Sequence, residues 1–320
     1  MPDALTTTTQ VDPAVAVFYD RILLKRGLPY EVHDTWAQVR NLDAKSGNTI
    51  KFRRYSALSL ALTPLPQGRK PPGQALSKTD LTAKVSQFGD WVHITDMVDL
   101  TVEDKVLTEA AEVLGEQRGQ TRDVLLRNIL TACASVTDAT EGSNSETPTE
   151  ITKKDIQKVV KTLLGGNAQY ISNVKKAGSG QGTMPIRPSF GGIFHTDLMD
   201  DIEDVDGFIH TANYPRQENI MEAEYGSTGQ VRWLMTNLAH KDEDASPDEY
   251  KCLICGKNAY GTTTIEQGNV KNIVKGFDSG GVANPLNQSA SSGWKMIFTA
   301  RILNDAFMHV LNVTHSSASG

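Results

Sequence analysis

Residues Asn48 to Val136 constrain this chain most, because they call for two extended legs, a tip that no regular element crosses, and one long helix. From Asn48 to Ala61, Ile50 and Phe52 alternate with Lys51 and Arg53, the two-residue period of a half-buried strand. Pro64, Pro66, Gly68, Pro71, Pro72 and Gly73 end that run, since the prolines lack the N–H that a ladder needs. Alternation resumes between Leu81 and Ile94, with Leu81, Ala83 and Val85 set against Thr82, Lys84 and Ser86. The pattern predicts one hairpin whose legs span roughly 45 Å at about 3.3 Å per residue. Thr101 and Asp104 then read as a capping pair. No proline follows until Pro148, and Val102, Val106, Ala110, Val113, Leu114, Val124, Leu125, Ile129 and Ala132 recur mostly at steps of three or four. A helix from Val102 to Ser135 would be about 50 Å long at 1.5 Å per residue. Gly115 and Gly119 cost it about 1 kcal/mol each, so tertiary packing has to hold it.

A ribbon carrying Lys51, Arg53, Arg54, Arg69 and Lys70 lacks a core of its own, and the expected surroundings are other copies of the chain; the default reading of its cations is a solvated charged strand, and the rival is that they meet carboxylates of an adjacent copy. Exposed pairs of that kind contribute about 0–1 kcal/mol each, so they count by repetition. The whole chain is acidic. Its 320 residues carry a formal net charge of −6, which withholds the basic footprint of a dedicated DNA binder. A hydrophobic share of 39% suffices for one large or two modest domains. Three cysteines make no disulfide framework and fit a reducing compartment. The N-terminal residues have neither the basic nor the apolar segment of a secretory signal, and no window approaches the roughly 20 apolar residues of a membrane span, so the expectation is a soluble protein made in a cytoplasm.

Taken in order, Met1 to Gln10 read as a disordered segment or an arm ordered by a neighbour, and Asp12-Pro13 opens a short helix with Ala14, Val17, Phe18 and Ile22 on one side. Pro29 to Gly47 reads as irregular. Thr137 to Thr149 reads as a surface loop or the boundary between two subdomains; Thr152 and Asp155 cap a helix with Ile156, Val159, Val160, Leu163 and Leu164 on its apolar face, stopped by Gly165-Gly166. Gly178 to Gly182 reads as a mobile loop, Ser189 to Phe194 as a buried strand and Thr196 to Val205 as a short acidic helix. Short strands follow at Val231–Met235, Lys251–Ile254, Val270–Val274, Met296–Ala300 and Ala306–Val313. Helices and mainly antiparallel strands without regular βαβ alternation give an α+β class.

Motifs for chemistry are few. Cys252-Leu253-Ile254-Cys255 looks like half of a zinc site, with His240 as a third candidate ligand, but no fourth stands at suitable spacing, and the plain reading of both thiols as small strand residues is favoured. The acidic run Asp200 to Asp206 fails the calcium-loop spacing and reads as a solvated helix face. The seven histidines are scattered, and neither a nucleophile elbow nor a phosphate-binding loop is present.

Several segments carry a resemblance. They are Gly47-Asn48-Thr49-Ile50-Lys51-Phe52-Arg53-Arg54, the stretch Gln87 to Asp96 leading into the long helix, Gly226 to Arg232, Cys255 to Gly261, Asn284 to Gln288 and Gly293-Trp294-Lys295-Met296. In order and spacing the chain resembles the major capsid proteins of tailed bacteriophages, in the branch similar to the coat of podovirus N-four. The resemblance implies the Johnson fold of Hong Kong ninety-seven phage coats. Residues 1–47 would be an N-terminal arm, 48–94 an extended loop, 95–151 a peripheral domain with a spine helix, 152–288 an axial domain, and 289–320 the return strands of the peripheral domain and a tail. It implies self-assembly into hexamers and pentamers of an icosahedral shell enclosing double-stranded DNA, in a virion synthesised in a bacterial cytoplasm. Portal and scaffolding proteins would be partners and decoration proteins further candidates; no membrane, cofactor, metal or catalytic residue is implied. Candidate inter-subunit contacts are Arg53, Arg54, Arg69, Lys70, Phe18 and Trp91. No position can be matched to the lysine–asparagine cross-link of some such coats. The competing readings are a metal-dependent hydrolase using Cys252, Cys255 and His240, and a monomeric binding module whose hairpin grips a receptor.

Overall fold

The computed structural model describes residues 5–6, 31–43, 47–64, 67–68, 73–101, 106–141, 147–175, 183–214, 220–221, 223–245, 247–265, 271–277 and 285–315. In chain order the elements begin with β1 (Leu5–Thr6), β2 (Gln38–Leu42), β3 (Thr49–Tyr55), β4 (Lys78–Lys84), β5 (Ser86–Thr95), α1 (Asp96–Thr101) and α2 (Val106–Leu130). Next come β6 (Val136–Asp138), α3 (Lys153–Gly165), β7 (Ile171–Lys175), β8 (Thr183–His195), α4 (Met199–Asp204), β9 (Phe208–His210) and β10 (Glu224–Thr228). The chain ends with β11 (Val231–Thr236), β12 (His240–Asp242), β13 (Glu249–Cys255), β14 (Tyr260–Ile265), β15 (Lys271–Lys275), β16 (Ser289–Ile302) and β17 (Met308–Thr314).

The strands form two large sheets and a separate ribbon. One sheet has the order β1-β5-β16-β14-β2, with β15 also on β16; the other has the order β6-β17-β13-β8-β11-β10-β9, with β12 on β13 and β7 on β8; β3 pairs only with β4. The second sheet is buried on both faces, which explains its unbroken apolar runs. Phe190, Phe194, Trp233, Cys252, Ile254, Leu311 and Val313 face a core closed by Ile156, Val159 and Leu163 of α3, by Ile202 of α4 and by Leu198 in the turn before it. Their strand neighbours Ile193, Leu234, Leu253, Cys255 and Val310 face a second core shared with Leu126 and Leu130 of α2 and with Tyr260, Phe298 and Ala300 of the first sheet. Two adjacent glycines in β8 permit this packing. A Cβ on Gly191 would fall into the indole of Trp36, and one on Gly192 into that of Trp233.

Most elements stand where the pattern puts them, and the departures have local causes. The expected single hairpin is divided: Val85 donates the last rung to Asn48 O (2.9 Å), and from Ser86 onward the return leg pairs with β16 instead. Only Thr49–Tyr55 and Lys78–Lys84 pair with each other, so the ladder is roughly 23 Å long at about 3.3 Å per residue, not 45 Å. Thr101 is not a helix cap, since it lies in α1 and its Oγ1 donates to Met97 O (2.5 Å). Asp104 is outside the described residues, as are the expected helix after Asp12 and the loop Gly178 to Gly182. The long helix ends at Leu130 rather than Ser135, because Cys133 N turns back to Leu130 O (3.1 Å) and Ser135 Oγ donates to Asp305 O (2.8 Å), feeding β6 into the second sheet. β17 also lies in that sheet, between β13 and β6, while β16 returns to β5. Leu5 and Thr6, expected to be disordered or to order only on a neighbour, pair in parallel with His93 and Ile94 of their own chain.

The described residues of Pro29 to Gly47, 31–43 and 47, are not irregular throughout. Val32–Asp34 forms a 3-10 turn, and β2 pairs in parallel with β14. A buried polar knot holds this segment. His33 donates its N–H to Asp123 Oδ1 (2.9 Å), its Nδ1 meets Asp123 Oδ2 (2.7 Å), and its carbonyl accepts from Tyr260 Oη (2.5 Å). Arg122 reaches Glu31 and Asp34 Oδ2 (3.0 Å), and Thr262 Oγ1 donates to Asp34 Oδ1 (3.0 Å). The knot positions Trp36 over Gly191. Replacing Gly191 with alanine should therefore overpack this contact and destabilise the subunit by about 1–3 kcal/mol, measured by urea unfolding of the unassembled protein; a neutral effect would contradict the packing described.

Candidate functional site

The β3–β4 ribbon has two different faces. Phe52 and Leu81, opposite each other, and Ile50 and Ala83 likewise, turn toward the body; Phe52 is buried and its ring lies over Gly261. On the same side Arg54 Nη1 donates to Asn304 Oδ1 (2.6 Å) and Leu303 O (3.4 Å), clamping the root to the end of β16. The other face carries Lys51, Tyr55, Lys78 and Lys84, all exposed, and the cross-strand pair in which Arg53 Nε and Nη2 donate to Asp80 (2.8 and 3.2 Å). Asp80 holds the Arg53 guanidinium pKa above its ordinary value, and Arg53 holds the Asp80 carboxyl below its own.

Beyond Tyr55 the chain stays extended. Ser56 N donates to Ser77 O (3.0 Å), and the Gln74 amide bonds both the N–H and the carbonyl of Ser59 (3.0 Å each), standing in for a missing strand. Leu58, Leu60 and Leu62 recur at every second residue, the spacing that puts side chains on one side of an extended chain. Leu60 and Leu62 are 81% and 82% exposed, and Leu76 on the return leg is 69% exposed. Leu58, Leu60, Leu62 and Leu76 are all exposed, and large apolar side chains left in water on one loop mark a candidate interaction site.

Of the six expected contact residues, Arg53 and Arg54 have partners within their own subunit. Trp91 lies on β5, 52% exposed, with its ring 5.4 Å from that of His93. Phe18, Arg69 and Lys70 lie outside the described residues. Sequence reading missed the leucine stripe, although its signal was present: leucines alternating with small residues directly before a proline-rich tip leave no following segment to cover them.

The metal reading fails on geometry. Cys252 points into the core under α3 and α4, whereas Cys255 points into the core beneath α2, on the opposite face of the same sheet. His240 pairs with Lys251, four residues from Cys255, roughly 13 Å at about 3.3 Å per residue. Burial pushes both thiols up to about 12, away from the thiolate that zinc requires. The acidic run is likewise structural: in α4 Asp201 meets His315 Nδ1 (2.8 Å) and Glu203 accepts from Tyr225 Oη, and just beyond it Asp206 accepts from Lys153 Nζ (2.6 Å).

No family model and no curated protein matches the sequence. Solved structures do match. The capsid of Ralstonia phage GP4 is 11% identical, with 98% of this chain and 99% of that chain covered at a TM-score of 0.69. The capsid of cyanophage P-SCSP1u is 12% identical over 95% and 94% at a TM-score of 0.65. The chain has the Johnson fold. In the Johnson fold's terms β3–β4 belongs to the extended loop and α2 is the spine helix. The same fold occurs in the holo-SrpI encapsulin complex of Synechococcus elongatus, 10% identical over 95% and 96% at a TM-score of 0.59. These likenesses do not distinguish the branch similar to podovirus N-four.

Burial holds three histidines, His195, His240 and His309, below the ordinary value of 6.5. A base whose folded pKa is depressed binds its proton more readily once unfolded, so its contribution to stability is complete above pH 6.5 and is lost as pH falls toward the folded value. Thermal unfolding of the unassembled subunit should give a plateau above pH 7 and a falling midpoint below about 6.5; His309→Gln should make that fall shallower.

Proposed function

We propose that this chain is the major capsid protein of a tailed bacteriophage, a structural shell subunit rather than an enzyme. Copies assemble into hexamers and pentamers of an icosahedral shell around double-stranded DNA, with the extended loop of each lying across a neighbour. The observation that carries this reading is the exposed leucine ribbon on a subunit whose fold matches phage capsids over nearly its whole length. Individual contacts are weak, and closure comes from repeating one head-to-tail interface around a ring.

The finer parts of the reading follow from the resemblance. A portal and a separate scaffolding protein are the partners, decoration proteins are candidates, and the shell resides in the virion after synthesis in the bacterial cytoplasm. A chain of net charge −6 encloses DNA without reading its sequence. The monomeric binding module is disfavoured because the fold matches shell subunits over 95–98% of the chain. Encapsulin shells share the fold, so the contents of the particles matter: packaged DNA supports the phage reading, and a protein cargo without DNA points to an encapsulin.

Expressed with a scaffolding partner, the chain should give closed particles in negative-stain images. Deleting Pro64 to Gly73 should leave the unfolding midpoint of the free subunit within a few degrees of wild type, while particle yield drops about tenfold or more as the contact repeated in every copy is weakened. Normal particles from the deletion would contradict the role given to the loop.

A further inference from the structure

Aspartate followed by glycine carries a reaction of its own. The backbone nitrogen of the next residue can attack the side-chain carboxyl, and glycine is the successor with no side chain to obstruct that approach. Among all the aspartates and asparagines of this chain only Asp206 precedes a glycine. Its neighbours Asp201 and Asp204 are followed by the branched Ile202 and Val205.

The fold leaves this pair of residues open. Asp206 and Gly207 form the turn between α4 and β9, which Phe208 N closes by donating to Val205 O (3.0 Å), with Gly207 at φ +87°. Glycine adopts that backbone conformation freely, and nothing branched stands beside the Asp206 carboxyl on the C-terminal side. The carboxyl itself is 85% exposed and accepts from Lys153 Nζ at the start of α3 (2.6 Å). Between two side chains this exposed the ion pair adds little stability. It does act on protonation: the hydrogen bond from Lys153 holds the Asp206 carboxyl below the usual carboxylate range. A neutral carboxyl can release its hydroxyl as water, whereas a carboxylate has no such leaving group. Lys153 therefore opposes the attack.

We propose that Asp206 is a site of spontaneous isomerisation to isoaspartate and that Lys153 slows it. Gly207 N bonds to Asp206 Cγ, the Cγ–OH bond breaks, and the hydroxyl leaves with the amide proton as water, closing a five-membered cyclic imide. Water then adds to either imide carbonyl. Breaking the new bond at Cγ restores aspartate; breaking the original peptide bond leaves the chain running through Cβ and Cγ, with the free carboxylate on Cα. One water leaves and one returns, so no oxidant or cofactor is consumed. The extra backbone atom falls just before β9, the edge strand of the second sheet. Phe208 there lies against Gly226, where a Cβ would meet its ring, and 5.7 Å from the ring of Tyr225. Lengthening the chain beside Phe208 disturbs that seat, so the isomerised fraction should unfold at a lower temperature than the unmodified chain.

The test is prolonged incubation of the purified full-length chain below its unfolding midpoint, with isoaspartate located by electron-transfer fragmentation of the peptide that contains residue 206. Isoaspartate should accumulate there faster than at any other aspartate or asparagine, and faster at about pH 5 than at about pH 8, because the acid form reacts. Lys153→Gln should raise the rate about threefold or more, the effect of roughly half a pKa unit, while Lys153→Arg, which keeps the cation, should stay near wild type. Asp206→Glu, whose ring closure needs a larger ring, should abolish the signal at that position. Lys153 is 53 residues away in sequence, so its influence reports the folded chain. Where Lys153→Gln does not fold, the wild type in about 1 M salt, with a Debye length of about 3 Å, should isomerise faster than at low salt. No isoaspartate at 206, or faster conversion elsewhere, overturns the site. An unchanged rate in Lys153→Gln, or in high salt where that variant does not fold, overturns the role of Lys153. The reaction takes place within one copy, so neither result bears on the shell reading.

Discussion

Both sheets depend on one helix that buries apolar side chains in two directions along its length. Near its start Leu114 of α2 packs on Trp294 and Met296 of β16, and Gln117 accepts from Trp294 Nε1 (3.0 Å) and donates to Asp90 (2.7 Å). Near its end Leu126 and Leu130 enter the core shared by β16 and the second sheet. The helix thus has no single apolar stripe; it turns from one sheet into the junction between both. Packing on both sides is what a 25-residue helix interrupted by two glycines requires.

That junction is fastened by a buried hydrogen-bonded contact. Asp123 is enclosed within α2 and meets His33, whose backbone is bonded in turn to Asp123 and Tyr260. Burying polar groups is costly unless they are hydrogen-bonded, so these bonds favour the observed placement of residues 31–37. The segment that leads into the loop therefore leaves a rigid origin. Trp36 over Gly191, β2 along β14 and Phe52 over Gly261 follow in succession, and the ribbon is committed to a direction before it leaves the body.

Much of this was legible in the residues. β11, β13 and β17 announce themselves as apolar runs, and α3 as a capped amphipathic helix. Even there the cap works differently: Asp155 accepts from Thr152 Oγ1 (2.5 Å) and from Thr140 N (3.1 Å), pinning the preceding strand region. What the residues hid was pairing. Alternation continues through Val85 without a break, and nothing local records that the partner changes from β3 to β16. β2 was hidden for a related reason, since a parallel edge strand exposed at Val39, Arg40 and Asn41 shows no apolar period. Of the candidate site, the basic residues were visible and the leucines were not weighed, because an apolar side chain reads as interior until the tertiary fold leaves it outside.

The placement of the cysteines has a practical outcome. Cys133, Cys252 and Cys255 are all buried and unpaired, with both thiols of β13 held protonated. The native exterior is consequently inert to maleimides and to disulfide exchange. A single cysteine engineered at Leu60 would be the sole reactive handle per copy, repeated across the lattice with the symmetry of the particle, and its accessibility to a dye would track stage by stage how the ribbon becomes covered.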